Sequence, residues 1–337
     1  MTKEVFWCQI RNSLRGWLLF QYQEEQIIAS FEYSPSKWVP FRDQAVLEKV
    51  RKITREEITQ HANPDLKIQV VKDFDVWFLF MMDVFFRIKE AMEAGRRLVM
   101  ILPQPWPLYE KVAYMINRSR VNCRNLYTFN MDEYANEDGV IAPETWPLGF
   151  THSLKKYFYS QLDPDLRPPE SQMIGLTNEN FKDYGKMIAD LGHADICYAG
   201  PGWTGHLAFV EPDAPEVPKD LEAFKQAGPM IVTLSPFTLA QNSLHGSFGA
   251  SGDLAAVPPK AATIGPAQYL GAKNRVNMYS IGVHGTATSW QRLIARLCLH
   301  GPVTPLVPDS IVQLKSARVW ISETIAQNIE TDWDKGY

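Results

Sequence analysis

The chain has 337 residues, 45% of them hydrophobic and 21% charged, with a net charge of −4 and a pI near 6.0. A chain this long buries enough apolar surface to be stable without disulfides or metals, and its charge leaves no electrostatic footprint for nucleic acid. Four cysteines (Cys8, Cys123, Cys197, Cys298) lie far apart with no C-x-x-C pair, as expected of reduced thiols rather than of a disulfide framework or a zinc site.

The first stretch, to residue 66, is rich in Trp, Phe and Tyr and carries an acid early, at Glu4, with no apolar run of signal-peptide type. It ends in an amphipathic helix, with Val46, Val50 and Ile53 at helical spacing, closed by His61-Ala62-Asn63-Pro64. This gives residues 1–66 as an aromatic-rich extension packed on a domain spanning 67–337. Lys67–Val71 reads as a strand and Asp73–Ala94 as a helix stopped by Gly95. Within that helix, Val76–Phe86 is the most apolar run of the chain. Asp83 interrupts it and it is too short to span a bilayer, so it reads as buried in a soluble, cytoplasmic protein.

Strands are expected at Leu98–Leu102, Leu126–Asn130, Asp195–Tyr198, Met230–Leu234, Val276–Val283 and Ala317–Ser322. Helices are expected at 107–117, Thr151–Leu162, Asn178–Leu191 and Thr288–His300, with long Pro-rich loops at Ala135–Gly149 and Pro212–Pro229. Strands alternating with helices define an α/β fold, a mainly parallel sheet with helices on both faces. Ligands in such sheets bind beyond the carboxyl ends of the strands.

Two strand ends carry chemistry. Thr128-Phe129-Asn130-Met131-Asp132-Glu133-Tyr134 runs from an apolar strand into adjacent carboxylates. Tyr198-Ala199-Gly200-Pro201-Gly202-Trp203-Thr204-Gly205-His206 enters a Gly-rich turn that delivers a histidine, and Glu211 follows in Leu207-Ala208-Phe209-Val210-Glu211-Pro212. The glycine spacing fails the dinucleotide pattern G-x-G-x-x-G.

Taken together, Met131–Tyr134 and Gly205–Pro212 resemble the paired motifs N-M-D-E-Y and G-x-G-x-D-G-H-I-A-F-N-E-P of the glucosamine-6-phosphate deaminase/isomerase family. The likeness extends more loosely over 67–325. It implies a modified Rossmann-type fold, shared with ribose-5-phosphate isomerases and CoA transferases, and a mechanism without metal or cofactor. It also implies Asp132 as the base that moves a proton between adjacent carbons, His206 as the acid/base for ring opening, and Glu211 as the carboxylate supporting the histidine. The residues implied at the substrate are Glu133, Tyr134, Gly202, Thr204, Gly205, Gln104 and Trp106. The partner implied is a small-molecule sugar or sugar phosphate, with no nucleic acid or membrane; association with further copies of the chain is left open.

The chain departs from the family pattern at three places. Thr204 stands where the family has an acid two residues before the histidine, so one orienting carboxylate is missing and His206 is expected to lose charge support. Pro103-Gln104-Pro105-Trp106-Pro107 replaces a T-G-G-T-P turn that offers N–H groups to a phosphate. Leu244 and Thr288 replace an arginine and a lysine, with His245 and Arg292 nearby. The expected substrate is therefore an altered amino sugar. The other readings are a 6-phosphogluconolactonase-like hydrolase, which shares the fold, and a non-catalytic sugar-binding homologue.

Overall fold

The computed structural model describes residues 33–103, 106–280 and 289–330. The chain divides into two compact units, 1–42 and 43–337. The described part of the first, 33–42, is irregular, and there the Arg42 guanidinium donates to the Val39 carbonyl at 2.6 Å. The second carries the site.

It opens on helix α1 (Gln44–Arg51), where the Asp43 carboxylate accepts from the Val46 N–H at 3.0 Å and satisfies a first-turn donor. There follow β1 (Leu66–Val71), α2 (Asp75–Glu93), β2 (Leu98–Leu102), α3 (Tyr109–Arg118), β3 (Leu126–Asn130) and β4 (Asp132–Ala135). Next come α4 (Phe150–Tyr157), β5 (Met173–Ile174), α5 (Tyr184–Asp190), β6 (Ile196–Ala199) and α6 (Leu221–Gln226). The chain continues through β7 (Met230–Thr233), α7 (Pro236–Ser243), β8 (Lys260–Thr263), α8 (Pro266–Gly271) and β9 (Arg275–Tyr279). It ends in α9 (Ser289–His300), β10 (Ala317–Ser322) and α10 (Glu323–Ala326).

Among the described residues, seven strands form one parallel sheet in the order β1-β10-β9-β6-β2-β3-β5. The central β2 is buried throughout. Val99 and Ile101 enter the core on one face, and Leu98, Met100 and Leu102 enter the core on the other. That two-sided burial is why the strand reads as an unbroken apolar run, Leu-Val-Met-Ile-Leu. A smaller antiparallel sheet, β4-β8-β7, stands beyond the carboxyl end of β3.

Chain order runs outward from β2 through β3 to β5, and in the opposite sense from β6 through β9 to β10. The switch point lies between β2 and β6. A crevice at the carboxyl ends of these strands is where an open α/β sheet holds its ligand.

The helix read as buried is only half so. In α2, Val76, Phe80, Val84 and Ile88 are buried, whereas Phe78 and Phe86 are exposed. An apolar run longer than one turn must send some of its members to the outer side of a helix that packs on a single face. Among the described residues no helix is long and apolar enough to cross a membrane. Cys123, Cys197 and Cys298 are buried free thiols.

Candidate active site

Asp132 and Glu133 are neighbours on β4, so their side chains leave the strand on opposite faces. That alternation separates their environments completely. Glu133 turns to the N-terminus of α4, where its carboxylate accepts from the N–H groups of Phe150 (3.0 Å) and Thr151 (2.8 Å), and from that of Tyr134 (3.0 Å). Gly149 makes this approach feasible, because a Cβ there would sit 3.2 Å from Glu133 Oε1. Glu133 thus caps a helix whose positive end favours a carboxylate, and it is absent from the cavity wall. Glu133→Gln removes one acceptor and turns an NH₂ toward N–H donors. It is expected to cost about 2 kcal/mol in chemical unfolding, while kcat stays near wild type.

Asp132 faces a cavity of about 690 Å³. Its Oδ1 accepts from the Phe209 N–H at 3.1 Å, and Thr263 lies directly across the antiparallel pair. Phe209 follows Ala208, which holds φ 53°, a left-handed conformation that a non-glycine residue adopts at a cost. Burial pushes the Asp132 carboxyl up to about 7, although Thr263, His206 and the Phe209 N–H pull it down. A carboxyl so placed titrates in the range where a base is most useful.

His206 lines the same cavity. Gly202 packs against the ring, and a Cβ at that position would fall 2.0 Å from Nε2, so only glycine admits the imidazole. The Nδ1 edge meets two hydroxyls, Thr204 Oγ1 at 3.0 Å and Thr238 Oγ1 at 3.1 Å. Thr204 donates in turn to Glu211 Oε2 at 3.1 Å. With the Thr204 hydroxyl proton given to Glu211, that oxygen faces Nδ1 as an acceptor, so Nδ1 carries the ring proton and Nε2 is left as an acceptor.

Glu211 is fully buried and 3.7 Å from Nδ1. Burial alone would raise its pKa. His206, Thr238 and the Ser235 N–H outweigh that and hold it below the ordinary carboxylate value. Thr204 itself brings no charge to the histidine, and the charge comes from Glu211 alone. Thr204 bridges the histidine to a carboxylate one residue further out. Thr204→Val keeps the shape and deletes the bridge, so kcat is expected to fall about 10- to 100-fold with Thr204→Ser restoring most of it. Steady-state kinetics of the two variants checks this.

The remaining sequence-predicted residues divide clearly. Trp106 lines the cavity; Tyr134, Gly202, Thr204 and Gly205 do not, and Gln104 lies outside the described residues. Tyr134 is buried and donates its hydroxyl to Asn242 Oδ1 at 2.8 Å, orienting a residue that does reach the wall. Gly205 (φ 77°) turns the chain and accepts the Asp309 N–H at 2.9 Å. Leu244 and His245 are in the wall, whereas Arg292 is not and donates to the Thr324 carbonyl; Thr288 lies outside the described residues. Sequence reading missed Thr238 and Ser235, although Ser235-Pro236 is a recognisable helix start. It also missed Thr263, whose place opposite Asp132 depends on a strand pairing that no local signal announces.

Asp132 and His206 share a cavity at the carboxyl ends of a parallel sheet, in an α/β fold of the kind found in glucosamine-6-phosphate deaminases and 6-phosphogluconolactonases. Its fold matches that of a monomeric glucosamine-6-phosphate deaminase with TM-score 0.61 at 19% identity, covering 79% of this chain and 100% of that one. A 6-phosphogluconolactonase from Leishmania guyanensis follows at TM-score 0.53 and 12% identity, covering 79% and 99%. No family model matches the chain. In sequence it is 28% identical over 196 residues to a glucosamine-6-phosphate deaminase of Caenorhabditis elegans, covering 56% of this chain and 65% of the relative. It is 28% identical over 176 residues to that of Phocaeicola vulgatus, covering 50% and 58%. The chain thus spans between half and two thirds of the length of these relatives. In sequence and in fold it is thus similar to the glucosamine-6-phosphate deaminases.

Proposed function

We propose that the protein is an aldose–ketose isomerase/deaminase acting on an amino sugar other than the family's usual 6-phosphate. The observation that carries this reading is that Asp132 and His206, the latter backed by Thr204 and Glu211, share one cavity wall. In the chemistry this supports, His206 Nε2 takes the anomeric hydroxyl proton and returns one to the ring oxygen, opening the sugar. Glu211 offsets the charge on the imidazolium through the threonine bridge. Asp132 then takes the proton from the carbon bearing nitrogen, exchanges it with solvent, and delivers a proton to the neighbouring carbon. Water adds to the resulting imine and ammonia leaves, so aldosamine and water become ketose and ammonia.

A lactone hydrolase needs no carbon base, and a buried carboxyl at Asp132 favours the isomerase reading over it. The substrate is altered because Leu244 occupies the wall and Lys156 is the one lysine or arginine among its described residues. Incubation with a panel of free and substituted 2-amino sugars, read by ammonia release and by NMR of the ketose, tests the proposal. Ammonia with ketose in equal amounts is expected. Gluconic acid from a lactone, with no ammonia from any amino sugar, would contradict it.

A further inference from the structure

The cavity that holds Asp132 and His206 is also lined by side chains of a different chemistry. Trp77 from α2, Trp106 from the segment after β2, and Tyr157 at the end of α4 all line it, with Pro103 and Pro107 beside them. Three separate elements contribute, so this is a built wall and not one side chain that happens to be exposed. The two tryptophans are fixed by packing: their rings meet edge to face at 4.8 Å, and Trp106 also abuts Phe80 at 6.3 Å. Such edge contacts leave an indole face available for stacking.

Charge is scarce in this region. Lys156 stands at the edge, exposed, with its ammonium 4.9 Å from the Tyr157 ring centre. The N-terminus of α4, which could otherwise attract an anion, is already taken by the Glu133 carboxylate. A volume near 690 Å³ also falls among sites, roughly 300–1,000 Å³, that enclose molecules of drug size.

We infer that this cavity holds a sugar whose end remote from the reacting carbons bears an uncharged, ring-sized apolar group stacked on the Trp77–Trp106–Tyr157 wall. The occupant is part of the substrate itself, because the wall and the acid–base pair border one continuous space. The inference rests on the amino-sugar reading above and names the substrate class of that site.

The test uses the full chain carrying Asp132→Asn, so that ligands are not consumed, with binding followed by titration calorimetry. The probes are glucosamine, its 6-O-benzyl ether and glucosamine 6-phosphate. The benzyl ether is expected to bind about tenfold or more tightly than glucosamine, and the 6-phosphate no more tightly than glucosamine. Trp106→Leu should weaken the ether more than glucosamine and bring the two towards parity, and Trp77→Leu gives an independent second reading. A benzyl ether that binds no better than glucosamine, a preference that survives both tryptophan variants, or tightest binding by the 6-phosphate would overturn the subsite. If glucosamine and both derivatives all fail to bind, the amino-sugar reading itself falls and takes the subsite with it.

Discussion

Asp132→Asn is expected to abolish turnover and, above neutral pH, to make the protein more stable. General acid–base steps contribute about 10²–10⁴ in rate, so kcat should fall by about a thousandfold. The stability change follows from burial. The carboxyl ionises at about 7 in the fold but near 3.9 in an unfolded chain. Between those values the folded state holds a proton that the unfolded state has released, so stability falls as pH rises from about 4 to about 7 and is flat beyond. Keeping an ionised carboxylate in this site therefore costs on the order of 4 kcal/mol above pH 7. Asparagine still accepts the Phe209 N–H and has no proton to lose. Thermal unfolding at pH 8 should show a raised Tm for the variant, and at pH 4.5 the two proteins should nearly coincide. In the wild type, kcat/KM should rise with pH through about 7 as the base ionises. A variant equally destabilised by alkali would show that Asp132 is not the buried group responsible.

The second large effect concerns the family substrate. Glucosamine 6-phosphate should be turned over poorly or not at all. Charge-assisted hydrogen bonds contribute about 1.5–3 kcal/mol each. Without an arginine at Leu244, and with prolines in place of N–H donors, affinity for a phosphate dianion should drop by roughly 10²–10⁴-fold. Leu244 is already in the cavity wall, so Leu244→Arg should lower KM for the 6-phosphate by about tenfold or more and leave kcat on unphosphorylated sugars largely unchanged. Ammonia release from glucosamine 6-phosphate at low KM by the unaltered protein would contradict the altered-substrate reading.

The fold was legible because its strands are short apolar runs set between helical patterns. The bounds Leu98–Leu102, Leu126–Asn130 and Ala317–Ser322 coincide with β2, β3 and β10. The small antiparallel sheet was not legible. Its strand β8, Lys260-Ala261-Ala262-Thr263, has little β-propensity, and it is the pairing with Asp132–Ala135 that makes it a strand. The site shows the same division. Asp132, His206 and Glu211 stand out as residue types at strand ends, and the structure places the first two in one wall with the third behind. The split between Asp132 and Glu133 follows from strand alternation, which could not be applied while the strand reading stopped at Asn130. Glu211 was legible as the histidine's carboxylate, whereas the bridging role of the Thr204 hydroxyl was not, because it depends on how the turn folds back between them.

The central claim, that Asp132 moves a carbon-bound proton, is tested most directly by running the reaction in D₂O and reading the sugar by NMR. Wild-type protein given an amino sugar that it turns over should introduce solvent deuterium at the carbons adjoining the carbonyl, and Asp132→Asn should introduce none. Deuterium incorporation by Asp132→Asn at the wild-type rate would contradict the account.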